Sequence, residues 1–166
     1  MENKKGFSGI LGIVIIAIVG CILFSPWFYL KYMVVLSKDK IIYETNLQRM
    51  ANGLPILNEN KKLNEIAEAK VYDMFRNQYF EHISPDGVAP EQLALSYGYD
   101  YSFHGENLIL GNFFTEKKIV QNWMNSPDHR KNILNENFTE IGVSFIKENY
   151  KGKIVWIGVQ EFGSPR

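Results

Sequence analysis

Between Gly6 and Leu30 the chain carries no charged residue. This run of roughly 25 positions, at about 1.5 Å per residue, is long enough to cross a hydrocarbon layer about 30 Å thick. Lys4 and Lys5 precede it, and Trp27, Tyr29 and Lys31 stand at its far end, as interfacial anchors do. The run reads as an N-terminal transmembrane helix, so the fold must be built from the residues beyond it. The organisation expected is a membrane anchor over residues 1-32, a tether over 33-40 and one domain over 41-166. A single pass with a cytoplasmic N-terminus would place that domain on the extracytoplasmic side of the cell membrane. Lys31, Lys38 and Lys40 weaken the positive-inside count, and the orientation rests mainly on the short head being easy to retain.

Two other readings of the same run stay open. Ile18-Val19-Gly20-Cys21 resembles the lipobox at which bacterial lipoproteins are cleaved and acylated, although the residues after Cys21 stay apolar through Leu30. A cleaved signal would instead release a secreted domain, but no Ala-x-Ala pattern marks a cleavage site. Cys21 is the only cysteine of the 166 residues, so the domain beyond it cannot use disulfides and must be held by packing. Lysine plus arginine equals aspartate plus glutamate at 18 each. No basic field exists to condense on phosphate, and nucleic acid is excluded as a partner on that ground.

The domain begins with a helical pattern from Tyr43 to Met50, stopped at Ala51-Asn52-Gly53 and Pro55. Leu63, Ile66, Ala67, Val71, Met74 and Phe75 recur at three- and four-residue steps, predicting a second helix capped by Asn58 or Asn60. His82 to Pro90 reads as a loop and Glu91 to Tyr97 as a short helix opened by Pro90. Thr115 can cap a helix bearing Ile119, Val120, Trp123 and Met124, which Pro127 interrupts. Ser126 and Pro127 can then start a further turn with His129 near its N-terminus. The period changes at Ile141-x-Val143-x-Phe145, a turn comes next over Glu148 to Gly152, and Lys153 to Phe162 is nearly continuously apolar. Helices first, an antiparallel hairpin last and one strand covered on both faces predict an α+β sandwich.

The chemistry-bearing residues are sparse. His82, in Phe80-Glu81-His82, and His129, in Pro127-Asp128-His129, lie in segments suited to converge on Glu106 in an expected turn, Gly105-Glu106-Asn107. Imidazole and carboxylate together can move protons or hold a divalent metal such as Zn²⁺. They can equally tie distant segments into a hydrogen-bonded network without catalysis. A first-turn position for His129 would disfavour its imidazolium form. His104 reads as an exposed loop residue. No Gly-x-Ser-x-Gly elbow supports Ser84 or Ser126 as a nucleophile, and Ser126 reads as a cap. Trp123 and Trp156 read as core, and Asn107 and Asn132 as satisfying backbone groups of their turns.

Gly105-Glu106-Asn107-Leu108, the segment Trp123 to Leu134, Ile141-Gly142-Val143 and Gln160-Glu161-Phe162-Gly163 follow one another in the order found in bacterial CAP-domain proteins. From about Ile41 to Phe162 the chain resembles this superfamily of cysteine-rich secretory, antigen 5 and pathogenesis-related 1 proteins, also called SCP-like. The resemblance implies a three-layer α-β-α sandwich of the CAP type, an exported location, and a cleft lined in many members by two histidines and two acids. By position these are His82, Glu106 and His129, with Asn107 and Ser126 expected as ligand-binding residues beside them. Ser126 stands where eukaryotic relatives carry the second acid, a departure that bacterial relatives share. The functions this implies are recognition of a peptide, lipid or cell-wall-derived ligand in that cleft, a histidine- and glutamate-dependent hydrolase of peptidase type, with or without zinc, or a structural interaction domain.

Overall fold

A computed structural model of the protein describes residues 36–113 and 115–166. The anchor expected over Gly6–Leu30 and the motif ending at Cys21 lie outside the described residues, among which no helix is long and apolar enough to cross a membrane.

The first helix, α1 (Lys38–Ala51), starts within the segment expected to be a tether. Ser37 supplies the reason: its backbone is extended and its side chain accepts from Lys40 N, while Asp39 sits in the first turn. Past Ala51, the Arg49 guanidinium turns back on the chain. It donates to Pro55 O at 2.8 Å, Ile133 O at 2.9 Å, Asn135 O at 2.8 Å and Phe138 O at 3.2 Å.

A two-residue strand, β1 (Asn58–Glu59), absent from the sequence reading, leads into α2 (Lys61–Asn77). Asn60 caps α2, accepting from Lys62 N and Leu63 N. Leu63, Ile66, Ala67, Val71, Met74 and Phe75 form its buried stripe, and Lys70 lies on the same buried face. Then come α3 (Pro90–Ser96), β2 (Tyr101–Gly111), α4 (Glu116–Asn125), α5 (Pro127–Ile133), β3 (Glu140–Tyr150) and β4 (Lys153–Pro165). The final turn is tighter than expected, since β3 runs to Tyr150 and only Lys151 and Gly152, both at positive φ, separate it from β4.

The sheet has the order β1-β3-β4-β2, with β1 parallel to β3 and the other pairs antiparallel. The central strand β4 is buried from Val155 to Ser164, as its nearly continuous apolar run predicts. Helix α2 covers the face bearing Leu108, Val155, Ile157 and Val159. It approaches β3 so closely that a Cβ at Gly142 would strike the backbone of Leu63. On the opposite face Phe138 stacks on Phe162, Trp123 meets Phe145 edge-on, and Thr45 of α1 bonds Gln160. Helices on both faces of a mixed sheet make this an α+β fold.

Replacing Arg49 with Met would leave several buried carbonyls without a donor, each costing about 1–3 kcal/mol. Arg49→Met should therefore lower stability by at least about 3 kcal/mol in urea denaturation; a change below about 1 kcal/mol would contradict the role given to this side chain.

Candidate functional site

Glu106 does not lie in a turn. It sits in the middle of β2, whose register pairs Gly105 with Phe162, Glu106 with Glu161 and Asn107 with Gln160. Gly105 is small because the other face of the strand is crowded, a Cβ there falling 2.8 Å from Phe138 Cζ. The glycine that suggested a turn marks close packing instead.

Strand alternation divides the neighbours of Glu106 between two faces. Asn107 is fully buried, so the residue expected to bind ligand is a positioning group. Its Nδ2 donates to His129 O at 3.1 Å and Gln160 Oε1 at 3.2 Å. Asn132 Nδ2 donates to Asn107 Oδ1 at 2.9 Å and Glu106 O at 3.0 Å. Together the two amides fasten α5, and with it His129, to β2. Ser126 joins α4 to α5 through its backbone, with N donating to Trp123 O and O accepting from Arg130 N, but its side chain makes no capping bond.

His82 reaches Glu106 from the loop between α2 and α3. Its Nδ1 donates to Glu106 Oε1 at 2.6 Å, the imidazole being 52% exposed and the carboxyl 2%. The loop is held from below by Lys70, whose buried Nζ donates to His82 O at 2.5 Å and Tyr79 Oη at 3.2 Å. Tyr79 Oη in turn donates to Asp73. Hydrogen bonding to Glu106 is the largest cause that raises the His82 pKa above its ordinary 6.5, outweighing burial. The His129 pKa is lowered, first by burial and then by the charge of His82, against an opposing Asp128. The direction matches the expectation for a first-turn histidine, but the cause is burial and a neighbouring imidazole. The two histidines are linked through β2, His82 by its bond to Glu106 and His129 by the bond from Asn107 to its backbone carbonyl.

Three participants escaped the sequence reading. His104, expected as an exposed loop residue, lies in β2 two residues before Glu106 and on the same face, with its imidazole 1% exposed. Its Nε2 is 3.0 Å from Oε2 of Glu161, which is completely buried. Desolvation raises the Glu161 pKa well above the carboxylate range, with Glu106 the next cause, and desolvation lowers that of His104. The third is Lys70. The alternation His104-x-Glu106-x-Leu108 was the available signal for His104.

Beside Lys70 a groove of about 410 Å³ runs between α2 and the 84–97 segment, with Asp73, Arg76, Tyr79, Ser84 and Tyr97 in its walls. As metal donors the set is thin. Glu106 is committed to His82, and among the described residues no three His, Cys, Asp or Glu side chains converge on one ion position.

Residues 42–162 match the CAP family, the cysteine-rich secretory protein family, and the chain belongs to it. YkwD of Bacillus subtilis (strain 168) is 42% identical over 110 residues, covering 66% of this chain and 42% of YkwD. YlbC of the same organism, named as a membrane protein, is 32% identical over 115 residues, covering 69% of this chain and 33% of YlbC. The match thus spans less than half the length of each relative. The crystal structure of an extracellular SCP-domain protein from Bacillus anthracis is 29% identical, with a TM-score of 0.65 over 76% of this chain and 40% of that one.

A group whose folded pKa is raised stabilises the fold below its unfolded value and loses that contribution as pH rises through the folded one; a histidine whose pKa is lowered does the reverse, its contribution being lost as pH falls below about 6.5. His82 should titrate above 6.5 and His129 below it in NMR. Glu106→Gln should bring the His82 midpoint down, and a His82 midpoint unmoved by that change would dissolve the pair. Because the ring is half exposed, solvent screening holds the stability at stake to roughly 1 kcal/mol or less.

Proposed function

We propose that this protein is a membrane-tethered, extracytoplasmic CAP domain whose cleft around His82, Glu106 and His129 binds a peptide, lipid or cell-wall-derived ligand. One observation carries the reading: a half-exposed imidazole held at 2.6 Å by a buried carboxylate, with its other ring nitrogen left for a partner. Such a pair presents an oriented donor at the surface while its charge is balanced underneath. His129, biased toward its neutral form, adds an acceptor, and the adjoining groove supplies aromatic and polar walls. Tethering is supported by the uncharged run at Gly6–Leu30, and an extracytoplasmic setting by the description of the Bacillus anthracis relative as extracellular.

The same pair supports a second reading, a hydrolase with His82 as general base and Glu106 as its orienting acid. Against it, the Ser84 hydroxyl is engaged by Val88 N at 3.1 Å, inside its own loop. Among the described residues no serine hydroxyl is hydrogen-bonded to the His82 ring.

Capture of wall-derived muropeptides, peptides and lipid vesicles by the full chain in detergent separates these cases. For the bound class, His82→Ala and His129→Ala should each weaken affinity by about tenfold or more, equivalent to about 1.4 kcal/mol. If both variants bind as the parent does, the cleft is not the site. Turnover of any of these compounds, abolished in His82→Ala, would replace the binding reading with the hydrolase.

A further inference from the structure

Glu106 and Glu161 are directly paired across β2 and β4, and alternation sends both side chains toward α2. Side chains so placed are about 5 Å apart at Cβ. Glu161 is fully buried and Glu106 nearly so. Glu106 Oε1 is taken by His82, whereas Glu106 Oε2 and both oxygens of Glu161 find no hydrogen-bond partner among the described residues. Two ionised carboxylates in this position would repel at short range without water to screen them.

The surrounding charges do not resolve this. Lys70 of α2 is the attractive cation, but its Nζ donates to Tyr79 and His82. Glu91 of α3 adds a like charge. His104 places Nε2 against Glu161 Oε2, and both groups are sealed from solvent.

We infer that Glu106 and Glu161 share a single proton held on Glu161, which makes Glu161 a neutral donor to Glu106 and a positioning residue for the His82–Glu106 pair. In this arrangement the Glu161 O–H donates to Glu106 Oε2, and the remaining Glu161 oxygen lies 3.0 Å from Nε2 of a neutral His104, whose ring nitrogens likewise have no hydrogen-bond partner among the described residues. Glu106 Oε1 accepts from His82. The two carboxyls gain a bond between them, and one negative charge remains for Lys70 to balance. Burial drives both Glu161 and His104 toward their uncharged forms, in agreement with this assignment. The competing state, an anionic Glu161 beside a His104 imidazolium, has the same net charge but buries two more ions.

The value of Glu161 to ligand capture rests on the proposed cleft function, whereas the proton can be read without any ligand. Infrared spectroscopy of the full chain at neutral pH should show a protonated carboxyl stretch that Glu161→Gln removes. Nitrogen-15 NMR should show His104 as the neutral Nε2–H tautomer. Because glutamine keeps a donor and an acceptor in the same places and removes no charge, Glu161→Gln should leave the His82 midpoint where it is in the parent. Absence of the carboxyl band, an imidazolium at His104, or a fall of the His82 midpoint in Glu161→Gln would each overturn the assignment. Should Glu161→Gln fail to fold, the two measurements on the unsubstituted chain still decide. Loss of ligand capture with the band intact would remove the binding reading and leave the shared proton standing.

Discussion

A single cation without a carboxylate partner holds this fold's loops together. The Arg49 guanidinium is fully buried, and burial lowers its pKa. It is retained as an ion by four carbonyls: Pro55 O beyond the end of α1, Ile133 O at the end of α5, and Phe138 O in the lead into β3, together with Asn135 O, which also accepts from Phe138 N. The planar fork suits this task, because its donors diverge in fixed directions. With no cysteine in the domain, a cross-link between residue 49 and residues 133–138 had to be non-covalent. The consequence reaches the site, since α5 carries His129 and Asn132.

The edge strand β2 then works as a divider. Toward α1 and α5 it turns Asn107, continuing an amide chain from Thr45 through Gln160 to Asn132. Toward α2 it turns His104 and Glu106 against Glu161. A slip of one residue would exchange these sets, placing carboxyls beneath α5 and amides against α2. Both buried networks therefore specify register as well as filling space, and the crowding at Gly105 and Gly142 narrows the choice further.

The helices and the covered central strand were legible because their signals are local: the stripe Leu63 to Phe75, the cap at Asn60, Pro90 and Pro127 at helix starts, and the apolar run in β4. The resemblance placed the family, and His82 and Glu106 meet as the sequence reading supposed. What failed did so for tertiary reasons. Gly105 looked like a turn because a glycine required by a neighbouring ring has the same letter as one required by a positive φ. His104 looked exposed because its period-two relation to Glu106 was broken by that turn. Lys70 is invisible to a hydrophobic pattern, although it sits where an apolar residue would complete the α2 stripe. The helix start at Lys38 was missed although Ser37 carried a capping signal.

Lys70 also explains how the direction of His82 is fixed. A buried ammonium is costly, and burial lowers its pKa against the attraction of Glu106, Asp73 and Glu161. The structure spends two of its three donors on a backbone carbonyl of the His82 loop and on Tyr79, so it fixes where His82 stands. Asn107 and Asn132, the other donors nearby, are likewise committed to backbone and to each other. With Glu106 Oε1 on its Nδ1 and Lys70 on its backbone carbonyl, His82 is an imidazole of fixed direction.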